Sequence, residues 1–179
     1  MKYSAIKYND IANGPGVRTV LFVSGCTHHC KGCFQPETWD FDHGMPFTKE
    51  VEDQILDSLD SEYIEGLTLL GGEPMEPVNQ EALVPFIRRF RERFPAKSLW
   101  CYTGYTYDVD VAPAEGKVHT AVTDEFLNMI DVLVDGEFVL EEKDITLLFR
   151  GSRNQRLIDL RATREAGSVV VIPEPKRGR

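Results

Sequence analysis

Long apolar segments are missing from this sequence of 179 residues, whose longest uninterrupted aliphatic or aromatic runs, at 20–23 and 169–172, are four residues long. A membrane-spanning helix needs about 20 apolar residues, so the sequence excludes one. No apolar signal core follows Met1, and we therefore expect a cytoplasmic rather than a secreted protein. Positive charge is also scarce: 20 Lys and Arg face 29 Asp and Glu, and the net charge of −9 argues against general binding of DNA or RNA.

What is present is ordinary for a globular protein, with 42% hydrophobic and 27% charged residues. The length suits one domain over residues 1–179, with residues 168–179 as an irregular C-terminal extension.

Strand-like and helix-like segments alternate along the chain. The predicted strands cover residues 18–24, 68–70, 98–102 and 132–134, with two more at 156–160 and 169–172. The predicted helices cover residues 49–59, 78–94 and 124–130. Residues 161–167 and the basic tail 174–179 look irregular, and the tail is expected to be a solvated terminus.

This alternation predicts an α/β fold with a parallel sheet and helical crossovers, whose site lies beyond the carboxyl ends of the strands. The loops there would be residues 24–34, 71–77, 103–106 and 135–138. About five or six mainly parallel strands are too few for an eight-fold barrel, so we expect a partial, open (β/α) barrel.

Cysteine is scarce, and three of the four cysteines, Cys26, Cys30 and Cys33, fall within eight residues. Crowded thiols outside a disulfide scaffold favour a metal site, either zinc or an iron–sulfur cluster. His28 or His29 could complete a zinc site, although a tight loop would have difficulty turning either ring inward. Three thiolates on a cubane would instead leave one iron open to a chelating ligand.

Cys-x3-Cys-x2-Cys after a first strand resembles the signature of the radical S-adenosylmethionine superfamily. Residues 13–18 (NGPGVR) resemble the corresponding loop of glycyl-radical-enzyme activases, and Gly71-Gly72-Glu73-Pro74 resembles the superfamily's methionine-binding motif. Residues 131–138 (DVLVDGEF) and 149–160 (FRGSRNQRLIDL) resemble the activating-protein family of anaerobic ribonucleotide reductases. The likeness runs from about Ile6 to Leu160.

Three features depart from the family pattern. Gly32 stands where many superfamily members have an aromatic residue, a variation familiar among the reductase activators. Asn13 replaces an aspartate of related activases, and the extension after Leu160 is somewhat longer than the family leads us to expect.

The resemblance implies an enzyme that uses a [4Fe–4S] cluster to cleave S-adenosylmethionine into methionine and a 5′-deoxyadenosyl radical. That radical would take a Cα hydrogen from a glycine of the partner, an anaerobic ribonucleoside-triphosphate reductase. No second cysteine cluster is present, so the electron would come from an external donor such as flavodoxin. A partial barrel with an open side would suit a large protein substrate, and no nucleic-acid or membrane partner is expected.

The resemblance also assigns site residues. Cys26, Cys30 and Cys33 would hold the cluster, and Gly71, Gly72, Glu73 and Pro74 would bind or shape the site of the methionine ammonium. In a related activase, acid and hydroxyl groups at similar strand ends bind a monovalent cation and the methionine carboxylate, roles open to Thr103 and Asp135. Tyr102 replaces an acid there, which puts the cation site in doubt, and Asp135 could simply cap a turn. The remaining candidates, for the ribose or carboxylate, are Ser152, Asn154 and Arg156.

Other conspicuous residues have simpler interpretations. Cys101 is expected in the core, and Phe86, Ile87, Phe90 and Phe94 form an apolar helix face. Arg18 could bind a ligand or form a salt bridge in the scaffold. The acids between residues 50 and 65 predict a solvated helix face or a surface for a basic partner.

Two rival functions remain open from the sequence. One is a different radical S-adenosylmethionine enzyme, such as an activase of another glycyl-radical enzyme or a 7-deazaguanine synthase. The other is a zinc-stabilised binding module without catalysis.

Overall fold

The computed structural model describes residues 1–173, which form a sheet of seven strands with helices between them. The strands are β1 (Lys2–Asp10), β2 (Val17–Val23), β3 (Met45–Pro46), β4 (Ile64–Gly71), β5 (Ser98–Tyr102), β6 (Val132–Asp135) and β7 (Arg156–Asp159). The helices are α1 (Lys49–Ser58), α2 (Pro77–Arg93), α3 (Thr123–Met129) and α4 (Leu160–Ala166). No helix among these residues is long and apolar enough to cross a bilayer.

The sheet is mixed and open, in the order β3-β1-β2-β4-β5-β6-β7. Its middle, β2-β4-β5-β6, is parallel, whereas β1, β3 and β7 pair antiparallel at the two sides. The expectation of an α/β fold with an open sheet is confirmed. The sheet is mixed rather than mainly parallel, however, and among residues 1–173 it has seven strands instead of the five or six predicted. Because parallel strands share their direction, the loops after β2, β4, β5 and β6 meet at one edge.

The two faces of the sheet are packed differently. Alternate strand residues, such as Leu21, Leu69 and Leu133, face the helices and form the larger core with Phe86 of α2 and Phe126 of α3. Cys101 is fully buried in this core, as the sequence predicts. The opposite face carries a smaller apolar cluster, which consists of Trp100, Val132, Val134 and Leu157.

The sequence predictions are wrong or incomplete at three places. Residues 161–167 are not irregular: they lie mostly in α4, whose first turn is capped by the Asp159 carboxylate accepting from the Ala162 N–H at 2.8 Å. Residues 169–172 form no strand and pair with β7 only through the bridge between Ile158 and Val171. The prediction also lacks β1 and β3, and the tail 174–179 lies outside the described residues.

Arg18 has a scaffold role that needs no carboxylate. Its side chain is fully buried, and its guanidinium donates to Thr68 Oγ1 at 2.7 Å and to the carbonyl and hydroxyl oxygens of Ser98 at 3.0 and 2.8 Å. The guanidinium carbon of Arg18 also lies 5.7 Å from the centroid of the Trp100 ring. Neutral oxygens and an aromatic face therefore hold this cation, so of the two roles that the sequence left open the structure favours the one in the scaffold, without a salt bridge.

The acidic stretch is paired within the molecule. Arg89 of α2 contacts Glu52 and Asp53 of α1, and Arg93 contacts Asp57 and Asp60. Four of the seven acids between residues 50 and 65 thus pair with two arginines of the neighbouring helix, and the stretch keeps a net negative charge.

Candidate active site

A cavity of about 620 Å³ lies at the carboxyl ends of the parallel strands, on the sheet face away from the helices. Its wall brings together the thiols of Cys26, Cys30 and Cys33 with the loops that follow β4, β5 and β6. Of the other predicted site residues, it includes Gly71, Gly72, Glu73 and Thr103. Segments far apart in sequence thus meet at the edge where the strand directions predict a site.

The loop that carries the three cysteines, residues 24–34, is called the cysteine loop below. Its start is held by hydrogen bonds to the chain segment at Thr38 and Trp39. The Gly25 N–H donates to the Thr38 carbonyl at 2.8 Å, and the Cys26 N–H donates to the Trp39 carbonyl at 3.2 Å. A tight turn joins the other two cysteines, since the Cys33 N–H donates to the Cys30 carbonyl at 3.1 Å. All three thiols are free, with Cys26 buried and the other two half-buried.

Burial makes the thiols of Cys26 and Cys30 weak acids in the protein without a metal. It raises the pKa of Cys26 to about 12 and that of Cys30 to about 11, with the charge of Glu137 adding to the effect at Cys30. Only thiolates bind iron or zinc, so a bound cationic centre has to supply the charge that keeps them deprotonated.

The neighbouring histidines are turned to other partners. His28 Nε2 lies 3.1 Å from Glu73 Oε2, and its ring packs on Tyr105 at 4.2 Å between centroids. His29 packs on Trp39 at 4.6 Å. Among residues 1–173, no three His, Cys, Asp or Glu side chains converge as they would on a single ion.

This donor set fits a cluster better than zinc. A structural zinc ion usually takes four protein ligands, but here three free thiols are present while His28 and His29 have other partners. The residues present therefore fit a [4Fe–4S] cluster held by three cysteines.

The loop after β4 is pressed against the start of the cysteine loop. Gly71 has φ +111°, and a Cβ there would lie 2.7 Å from the backbone nitrogen of Val23. A Cβ on Gly72 would lie 2.6 Å from the Gly25 carbonyl oxygen. Glycine is thus required at both positions for close backbone approach.

Glu73 ties three loops together with one buried carboxylate. It is 1% exposed; Oε1 accepts from the Met75 N–H at 2.8 Å, and Oε2 accepts from the Gly104 N–H at 2.7 Å. Oε2 also contacts His28 in the cysteine loop. Burial lowers the pKa of His28, but the hydrogen bond and charge of Glu73 outweigh that effect and raise it overall. Pro74 is buried behind this turn and does not line the cavity.

Glu76 is a supporting residue that the sequence analysis missed. Its Oε1 accepts from the backbone N–H and hydroxyl of Thr27, at 2.8 and 2.6 Å, and from the Tyr105 hydroxyl at 3.2 Å. Thr27 follows the first cysteine directly, so this carboxylate fixes the start of the cysteine loop. An acid at the beginning of a predicted helix is the one signal that could have identified it.

Thr103 and Asp135 differ in their position relative to the cavity. Thr103 lines the cavity, although its Oγ1 accepts from the Tyr105 N–H at 3.1 Å. Asp135 is 1% exposed, lies off the cavity wall and accepts from Arg156 Nε at 2.9 Å and the Tyr107 N–H at 2.8 Å. Arg156 also pairs with Asp108. Asp135 and Arg156 are thus committed to the scaffold, whereas Thr103 lines the cavity.

The loop between β6 and β7 contributes different residues from those predicted. Ser152 accepts from the Val139 N–H at 3.2 Å, and Asn154 donates to the Glu137 carbonyl at 2.8 Å, so these two brace the loop. Its cavity-lining members are Gly136, Phe138, Phe149, Arg150, Gly151 and Gln155. Phe138 also packs on Phe34 beside the third cysteine, at 5.6 Å between ring centroids.

Comparison with known proteins agrees with this site. A family model described as a 4Fe-4S single cluster domain matches residues 12–158. An anaerobic ribonucleoside-triphosphate reductase-activating protein of Pasteurella multocida is 45% identical over 157 residues, which are 87% of this chain and 95% of the relative. The protein of that name from Escherichia coli K12 is 42% identical over 163 residues, 90% of this chain and all of the relative. The one from phage T4 is 39% identical over 159 residues, which are 88% of this chain and 93% of the relative.

Proposed function

Because this chain belongs to the family of anaerobic ribonucleoside-triphosphate reductase-activating proteins, we propose that it is an enzyme that places a glycyl radical on such a reductase. The observation that carries the proposal is the meeting of three free cysteine thiols and the Gly71–Gly72 turn on one open cavity.

Cys26, Cys30 and Cys33 would hold the [4Fe–4S] cluster. When bound, the cluster supplies one electron to S-adenosylmethionine, whose cleavage gives methionine and the 5′-deoxyadenosyl radical that takes a hydrogen atom from the target glycine. The fourth cysteine, Cys101, lies in the helix-side core, so the chain has no cysteines for a second cluster. We therefore propose an external one-electron donor, such as flavodoxin.

The turn after β4 would receive the methionine half of S-adenosylmethionine. Gly71 and Gly72 expose backbone groups where no side chain intervenes, and Pro74 fixes the turn behind them. Glu73 presents negative charge to the cavity for the ammonium or sulfonium, and it keeps its own position through Gly104 and His28. Thr103 would add a polar contact from the end of β5.

The remaining predicted residues do not line the cavity and would support the residues that do. We propose that Asp135 and Arg156 fix the end of β6 through their ion pair, and that Ser152 and Asn154 shape the loop that carries Gly151 and Gln155. A monovalent cation at Asp135 would have to compete with Arg156.

The proposed function also implies a particular fold type for the domain. Helices pack on one face of the sheet and the cavity opens on the other, and this supports a partial (β/α) barrel of the radical S-adenosylmethionine type. Residues 1–179 would work as one such domain. Free, crowded thiols also suit the reducing cytoplasm.

The test is anaerobic reconstitution with iron and sulfide, followed by metal analysis and a 5′-deoxyadenosine assay with a chemical reductant. The proposal requires about four irons per chain, from the cluster stoichiometry, and 5′-deoxyadenosine that depends on S-adenosylmethionine. Stoichiometric zinc without iron or sulfide would favour a zinc-stabilised binding module instead.

A further inference from the structure

The hydroxyl group of Tyr102 is buried and makes no hydrogen bond within the described part of the chain. The residue ends β5, pairs with Val134 of β6 and lies beside the smaller apolar cluster on the cavity side of the sheet. Phenylalanine would fill the same space without burying an unpaired hydroxyl, so packing alone does not explain tyrosine here.

The surroundings of this side chain point to a ligand. Tyr102 lines the cavity together with Phe22, Leu70 and Phe149, and Cys26 and Thr103 belong to the same wall. Burial raises the pKa of the phenol, which therefore stays protonated and can donate a hydrogen bond. In an apolar environment such a bond is stronger than in water.

We propose that the Tyr102 hydroxyl donates a hydrogen bond to an acceptor atom of bound S-adenosylmethionine and thereby determines affinity for it. This inference rests on the proposed function, because it takes S-adenosylmethionine as the occupant of the cavity. Unpaired in the free protein, the hydroxyl gains its partner only when the ligand binds, so it favours the occupied state.

The test compares the full chain with Tyr102→Phe, using Tyr63→Phe as a matched control, since Tyr63 is exposed and lies outside the cavity wall. Three quantities are measured: the Tm of the chain without metal, the iron content after anaerobic reconstitution, and the Kd of S-adenosylmethionine by equilibrium dialysis. Loss of one hydrogen bond should weaken binding by Tyr102→Phe about tenfold. Its Tm should be unchanged or higher and its iron content unchanged, because no bond of the free protein is lost.

Two results would overturn the inference. An unchanged Kd would show that the ligand does not use the hydroxyl, and a Tm several degrees lower would show that the free protein already does. Either result leaves the proposed function intact as long as the unsubstituted chain binds and cleaves S-adenosylmethionine. If the unsubstituted chain fails to bind it, both proposals fail together.

Discussion

Cysteine side chains in this protein differ in role according to which part of the sheet they leave. Cys26, Cys30 and Cys33 follow the carboxyl end of β2 and reach the cavity, whereas Cys101 sits within β5 and faces the helices. Strand alternation alone sends Cys101 to the core, since Trp100 and Tyr102 on either side of it face the cavity side.

This difference predicts a clear contrast between substitutions. Cys26→Ala, Cys30→Ala and Cys33→Ala should each abolish cluster retention and cleavage of S-adenosylmethionine, because each removes a proposed iron ligand. Cys101→Ala should keep both and lower the free energy of unfolding by about 1 kcal/mol, through the small void it leaves. Iron and sulfide analysis, a 5′-deoxyadenosine assay and urea unfolding measure these effects. Cleavage that survives loss of Cys30 would refute its assignment as a ligand.

Glu73 provides a second prediction at the level of single residues. The Gln side chain in Glu73→Gln has one acceptor oxygen instead of two, and its amide N–H groups would face the N–H donors of Met75 or Gly104. We expect a loss of about 2 kcal/mol in the free energy of unfolding, measured in urea. The matched control is Glu141→Gln, since Glu141 is an exposed partner of Lys31 and should matter little. Equal midpoints for the two variants would contradict the role of Glu73 as a link between loops.

Among the elements, α1 and α2 are joined by charges across their exposed sides. Arg89 and Arg93 contact four acids of the α1 region, so part of the stretch that looked like a surface for a basic partner is already paired within the molecule. The residues of these pairs belong to the helix layer and do not line the cavity.

A double substitution, Arg89→Gln with Arg93→Gln, tests this arrangement. It should leave S-adenosylmethionine cleavage unchanged and lower the urea midpoint at low salt, because repulsion among the acids is then uncompensated. The difference from the unsubstituted chain should shrink at about 1 M salt, where the Debye length is about 3 Å. A difference that persists at high salt would show that packing, rather than charge, joins the two helices.

The elements also show what the sequence could and could not predict. β2 and β5 are short apolar runs bounded by glycine or polar residues, and α2 has a long apolar face, so their pattern defines them. β1 mixes lysine, asparagine and alanine with tyrosine and isoleucine and is held by pairing with β2, which no local pattern reveals. α4 spans only seven residues and depends on its capping residue and on burial of Leu160.

The site residues divide in the same way: some are predicted by a sequence pattern, and others depend on contacts with distant parts of the chain. The meeting of the cysteines with Gly71 and Gly72 follows from strand direction, which the sequence conveys. Within the loop between β6 and β7 no period tells which side chains point inward, so Gly151 and Gln155, rather than Ser152 and Asn154, line the cavity. The partners of Glu73 and Glu76 come from distant loops and need the folded chain.

At the scale of the whole molecule, the open sheet leaves the cavity accessible from outside. The helices cover one face, and on the other face the thiols lie among loops. A glycine on a loop of a large partner could therefore reach the site without the partner entering a closed barrel. The proposed function requires such access, because its substrate is a protein.

Transfer of the radical to the reductase tests the central proposal most directly. The reconstituted chain is mixed anaerobically with its anaerobic ribonucleotide reductase, S-adenosylmethionine and a one-electron donor, and the frozen sample is examined by electron paramagnetic resonance. We predict a doublet from a glycyl radical, split by the one remaining Cα hydrogen, and no doublet with Cys30→Ala. Formation of 5′-deoxyadenosine without any glycyl doublet on the reductase would contradict the account.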